Sequence, residues 1–204
     1  MDKQAREARE MVKSLSFKDK VKHFWEYYKW HTIVSIIVVI MIGTTIYQVA
    51  TTEKYDLEIA YYGKVAITEE QTAQLSQYLS QYIEDVDGDG EKKVNILSTV
   101  IDMEEPSEYQ MAVSQKFMAE LAAGVHGAYI FDEWFYNYAG PESDLGAVEE
   151  AFDLRESQTG KEMLGLGEEP LYWCTKALYE KDKDKEDKIT IHNNAVSVAE
   201  ILKK

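Results

Sequence analysis

Three spacings of hydrophobic residues follow one another along the chain. From Thr32 to Thr52 no Asp, Glu, Lys or Arg interrupts 21 residues. Its inner part, Ile33 to Ile46, is almost wholly Ile, Val and Met around Gly43, Thr44 and Thr45. A membrane hydrocarbon core of about 30 Å takes about 20 helical residues. In lipid the backbone of a lone segment must pair within itself, which leaves helix as the only form. After Lys54 the spacing shortens. YDLEIAYYG (Tyr55–Gly63) alternates and is rich in β-branched and aromatic residues, which predicts a strand. Thr68, with Gln71 three positions on, is a capping box that opens a helix over 69–84, with Leu75, Leu79 and Ile83 on one stripe. DVDGDG (Asp85–Gly90) stops it, and KVNILSTVI (Lys93–Ile101) is a second strand.

Pro106 and Ser107 open a further helix, which runs through Met111, Val113, Phe117, Met118 and Leu121 until Gly124 stops it. GAYIFD (Gly127–Asp132) reads as a third strand and EWFYNYAG as a short aromatic helix ending at Gly140. Between Gly140 and Gly167 the periodicity fades, with Leu145, Val148, Phe152 and Leu154 as anchors. LYWCTK (Leu171–Lys176) is a fourth strand, EKDKDKEDK (Glu180–Lys188) a solvated turn or helix end, and NNAVSVAEILKK a closing helix capped by Asn193 or Asn194. Strand and helix in alternation predict an α/β fold of βαβ type, three layers with a parallel or mixed sheet. The expected organisation is a basic amphipathic arm (1–30), a transmembrane helix (31–51) and an α/β domain (53–204).

Charge separates these parts. Residues 1–31 hold eight Lys/Arg against five acids, a net +3, so the remainder carries −18 of the chain's −15. A basic arm ahead of an acidic body suits two parts on opposite sides of a membrane. Trp25, Tyr27, Tyr28 and Trp30 on one flank and Tyr47 on the other form an aromatic belt. Lysines before the run place the N-terminus in the cytoplasm and residues 53–204 outside. A cleaved signal peptide has a shorter apolar stretch nearer the N-terminus; here about 31 residues come first, and Ala50-Thr51-Thr52 resembles a cleavage site only weakly. SFKDKVKHFWEYYKWH reads as an amphipathic helix at the interface, or as a docking helix for a cytoplasmic partner. The expected partners are membrane lipid and an outside protein or small molecule. An acidic body repels phosphate backbones, which excludes nucleic acid.

Chemistry-bearing residues are few. Cys174 is the one cysteine, so neither an intrachain disulfide nor a thiolate zinc site forms, and its apolar run suits an inert buried thiol. His23, His31, His126 and His192 make no HExxH pair, and no GxSxG occurs. SQTGKE (Ser157–Glu162) fails as a phosphate loop, having Arg155 where Gly belongs and Glu162 where Ser or Thr belongs. Asp85, Asp87, Asp89 and Gly90 match the first half of a calcium loop, whereas Lys92 and Ile96 stand where an apolar residue and a bidentate Glu belong. Calcium is therefore one reading and an ordinary turn the other; no further cofactor is implied. Asp132, Trp134, Tyr136 and Trp173 are candidates to line a ligand pocket at the strand ends, against a capping role for Asp132 and a core role for the aromatics.

MAELAAGVHGAYIFDEWFYNYAG, in which a helix ends at Gly, a strand ends in Asp and an aromatic helix ends in Gly, resembles a segment of extracellular solute-binding proteins. With the preceding strand–helix–strand order the resemblance covers residues 55–140 and implies a fold like one lobe of such a protein. The layout of FWEYYKWH, one span and a compact acidic outer domain is similar to uncharacterised single-pass membrane proteins of Gram-positive bacteria. The expected function is a membrane-anchored, non-enzymatic extracytoplasmic domain binding a partner protein or small ligand. The alternatives are a cell-surface hydrolase acting on glycan or peptide, and a structural subunit of a membrane assembly.

Overall fold

The computed structural model describes residues 17–51, 53–103, 107–165 and 168–204. They form two compact units that divide after Glu53. Among its described residues the first contains one helix, α1 (Phe17–Thr51). Within it Tyr28–Gln48 is 21 residues long and apolar enough to cross a membrane, a length and composition shared with signal sequences and with some core helices. Its large side chains, Val34, Val39 and Ile46 among them, are exposed. Toward its C-terminal end, the Thr44 and Thr45 hydroxyls bond inside the helix, donating to the Met41 carbonyl at 2.9 and 2.8 Å. The arm before Phe17 lies outside the described residues.

The second unit is an α/β domain. In chain order its elements are β1 (Leu57–Gly63), α2 (Glu69–Leu79), β2 (Val94–Val100), α3 (Glu108–Ala123), β3 (Ala128–Asp132) and α4 (Glu133–Ala139), then β4 (Val148–Asp153), α5 (Gln158–Leu164), β5 (Leu171–Lys176) and α6 (Glu186–Leu202). The sheet runs β2-β1-β3-β5-β4. β1 pairs in parallel with β2 and with β3, while β5 is antiparallel to both β3 and β4. The sheet is therefore mixed.

Both faces are covered, because strand side chains alternate between them. Leu57, Ile59 and Tyr61 of β1, Ile130 of β3 and Trp173 of β5 meet α2, α5 and α6 on one face. Ala60, Tyr62, Tyr129, Phe131 and Cys174 meet α3 and α4 on the other. This explains why β1 is buried almost continuously: a central parallel strand has no wet face. The local signals set the helix starts. Thr68 with Gln71 and Ser107 with Gln110 form capping boxes, each worth about 1 kcal/mol. Gly124 ends α3 at φ 65°, in the left-handed region that favours glycine. Pro106 lies outside the described residues.

The structure corrects several expectations. α2 ends at Leu79 and tightens into a 3₁₀ turn at Ser80–Tyr82. Two elements fill the stretch where periodicity faded, the edge strand β4 and the seven-residue α5, so LYWCTK is the fifth strand. Leu145 is exposed and anchors nothing, unlike Val148 and Leu154. The last helix starts at Glu186, with no side-chain cap, and Asn194 is buried inside it.

Candidate functional site

Each of the three parallel strands delivers a polar residue at its C-terminal end: Lys64 follows β1, Asp102 lies just beyond β2, and Asp132 closes β3. They line a cavity of about 190 Å³ together with Met103, Glu169 and, from α4, Glu133, Trp134 and Asn137. This is the position at which open α/β sheets place ligands, outside the carboxyl ends of the strands. Asp132 holds the site together. One carboxylate oxygen accepts the Phe135 N–H at 3.1 Å and caps α4; the other accepts the Lys64 N–H at 3.1 Å and ties down the segment after β1. Burial raises the pKa of this carboxyl, against those backbone hydrogen bonds, which oppose the rise. Capping and pocket-lining are thus two roles of one side chain.

The neighbouring backbone approaches closely. A Cβ on Gly63 would lie 2.6 Å from the Tyr61 hydroxyl and 3.1 Å from the Asp132 Cβ. The Tyr61 hydroxyl sits there because it donates to the Val65 carbonyl at 2.5 Å. Glycine is required so that β1 and Asp132 can meet. Above this floor the wall is charged and aromatic. The Lys64 ammonium pairs with Glu169 at 3.2 Å. Trp134 stacks on Tyr138, centroids 5.3 Å apart and planes 12° apart, and the two rings stay 38% and 43% exposed.

The four pocket candidates from the sequence divide. Asp132 and Trp134 line the cavity. Tyr136 lies outside it, stacked on Tyr172 with centroids 4.0 Å apart. Trp173 is fully buried against the opposite face of the sheet, its indole N–H donating to the Thr175 hydroxyl at 3.1 Å. Lys64, Asp102 and Glu169 carried no sequence signal, since only the sheet order brings them to Asp132. Cys174 is buried, and desolvation pushes its thiol pKa well up, as expected of an inert thiol.

The acidic loop is a separate feature. Asp85 accepts the N–H groups of Gly88 and Gly90 at 2.7 and 2.8 Å, and Gly88 and Gly90 both have positive φ. Asp89 accepts the Glu91 N–H and pairs with Lys93 at 3.0 Å. Hydrogen bonds from the Glu91 N–H and from Lys93 hold its pKa low. The carboxylates that come together are Asp56, Asp85 and Asp87, one oxygen of each within 4.8 Å of the others. Asp89, the third residue expected from the spacing, is not in this cluster. Asp56 takes its place and organises the loop from beneath, accepting the Val86 N–H at 2.6 Å and the Lys93 N–H at 2.7 Å. Such a cluster offers the hard oxygen ligands that calcium takes.

No protein-family model, curated protein or solved structure matches the chain.

Proposed function

We propose that the chain is a single-pass membrane protein with a cytoplasmic N-terminus, and that residues 53–204 form an extracytoplasmic, non-enzymatic domain that binds a small cationic ligand. The anchor rests on the uncharged run of α1, its aromatic flanks and the basic arm before it. The internal bonding of Thr44 and Thr45 suits a helix without water. The ligand site is the cavity at the ends of the parallel strands, a placement that takes up the resemblance of residues 55–140 to a solute-binding lobe. The observation that carries the cationic preference is the charge of its lining. Four carboxylates, Asp102, Asp132, Glu133 and Glu169, face one lysine, and that lysine is already paired with Glu169. A concave site of one sign concentrates ions of the other, and the Trp134 face adds cation–π attraction.

A hydrolytic role is the weaker reading. General acid–base chemistry needs a carboxyl free to take and give a proton, and both oxygens of Asp132 are engaged by backbone N–H groups. The test is a thermal-shift titration of the full chain in detergent micelles with putrescine, choline, neutral sugars and acidic peptides. The amines are expected to raise the melting temperature, with Trp134→Ala and Glu133→Gln removing the response. A chain stabilised by sugars or acidic peptides but not by amines defeats the proposal. As a second reading for the acidic loop, the Asp56–Asp85–Asp87 cluster supports a weak calcium site.

A further inference from the structure

The two edges of the sheet differ. β4, at one edge, carries Glu149 and Glu150 and a register shift between Val148 and Glu150. Its two acids pair with His192 and Lys203. Charge and irregularity are the devices that keep an edge from pairing further. β2, at the other edge, has neither. Residues 94–101 hold no charged side chain in a chain of net −15. Pairing with β1 is regular from Val94 to Val100, and among the described residues β1 is the one partner strand of β2. The Lys93 carbonyl accepts the Leu57 N–H at 3.3 Å, and the Ile101 N–H donates to the Gly63 carbonyl at 2.8 Å. Backbone groups alternate sides along a strand, so Val94, Ile96, Ser98 and Val100 turn theirs to the open edge.

The side chains suit the same contact. Leu97 and Val100 are each 42% exposed. Leu97 shares the α3 face of the sheet with Ala60, its neighbour on β1, and Val100 lies on the opposite face. The two ends of the strand are oppositely charged. Lys92 and Lys93 precede it and Asp102 follows it, and Lys92 and Asp102 are exposed. A strand that is basic at its start and acidic at its end complements a second copy of itself run antiparallel. Run parallel in the same register, it sets like charge against like.

We propose that β2 is the docking edge for a second copy of this chain, the two β2 strands pairing antiparallel about a twofold axis at Leu97 and joining two sheets into one. In that register the outward groups of Val94 exchange hydrogen bonds with those of the partner's Val100, and Ile96 does so with the partner's Ser98. Leu97 meets the partner's Leu97 as a non-hydrogen-bonded pair, with Cα atoms about 4.5 Å apart. Lys92 comes opposite the partner's Asp102. Such an interface uses the same edge on both copies, so association stops at the dimer. Asp102 also lines the cavity at the strand ends, where Asp132, Glu133 and Glu169 still outnumber Lys64 and the partner's Lys92.

The experiment cross-links variants of the full chain that carry one added cysteine, in detergent micelles under mild oxidation with copper phenanthroline; the native Cys174 is buried. Leu97→Cys is expected to give a disulfide-linked dimer on non-reducing gels, because its Cα separation falls in the range of about 4.4–6.8 Å that a disulfide spans. Val100→Cys, at an equally exposed position, should cross-link about tenfold less, since the two copies of residue 100 lie about 20 Å apart at about 3.3 Å per residue. Sedimentation equilibrium of the parent should give the mass of two chains. Leu97→Lys sets like charges across the axis and should dissociate about tenfold more readily. Equal cross-linking at 97 and 100 overturns the proposal, because collision or another face then accounts for it. A dimer that Leu97→Lys leaves as tight as the parent overturns it too. So does a parent that sediments as one chain, which leaves this edge to a strand of a different protein.

Discussion

Asn194 uses its whole side-chain amide to hold α6 against the segment that leaves α2. Its oxygen accepts the Glu84 N–H at 2.7 Å, and its nitrogen donates to the carbonyls of Glu84 and Asp56 at 2.9 and 3.3 Å. Truncation strands buried backbone groups, so Asn194→Ala should cost about 2–3 kcal/mol. Asn193→Ala, one exposed position earlier, should stay within about 0.5 kcal/mol. Chemical denaturation of the two variants checks this, and equal losses would contradict it. Asp153 and Arg155 give a pH signature. The Arg155 guanidinium donates to Asp153 through Nε and through Nη2 at 2.6 Å, and to the Glu168 carbonyl through Nη1 at 2.7 Å. Burial alone would raise the Asp153 carboxyl, but the hydrogen bonds from Arg155 outweigh it and hold the pKa low. A carboxyl with a folded pKa below the unfolded value of about 3.9 adds stability above that value and loses it as pH falls through the folded one. Arg155→Met should therefore unfold at a higher pH on acidification, read by circular dichroism, with the two curves meeting at the acid extreme.

Among the elements, those fixed by neighbours in sequence were legible and those fixed by distant partners were not. The caps at Thr68 and Ser107 and the stop at Gly124 are local hydrogen-bond devices, so spacing reveals them. β4 is an edge strand on which Glu149 stays wet while Val148 is buried, and α5 is too short for a helical stripe to show. The site follows the same rule. Asp132 and Trp134 are legible because a strand end and a helix start coincide there. Trp173 misleads by one position: on β5, Tyr172 and Cys174 face one side of the sheet and Leu171 and Trp173 the other. Asp56 is invisible to a motif because it reaches the acidic loop across the fold. Its inclusion gives the loop a prediction. Calcium at millimolar concentration should raise the melting temperature of the full chain, and Asp87→Asn should abolish the rise. A parent chain unmoved at that concentration retires the calcium reading.

For the whole molecule, alternating strands and helices made an α/β domain legible, but the order β2-β1-β3-β5-β4 was not, because pairing partners leave no mark on a single strand. The apolar helix proposed as the anchor was legible as a helix long enough to cross a membrane, since a run of uncharged residues needs no partner to be seen. Its orientation has a direct check. Protease added to intact cells should digest residues 53–204 and spare an epitope placed before Phe17; protection of the body would reverse the assignment. The position of β5 constrains how the domain comes into being. A ribosome or translocation channel that has released the chain as far as Pro170 has released four strands, yet three can pair, because β4 has no partner except β5. The sheet closes when the strand made last enters between two made earlier, and α6 follows it in the chain. Until then the face that packs Ala195, Val198, Ala199 and Leu202 of α6 lacks that part of its cover. The domain therefore matures in one late step, and the interval between emergence and closure is when chaperones or proteases have access to it.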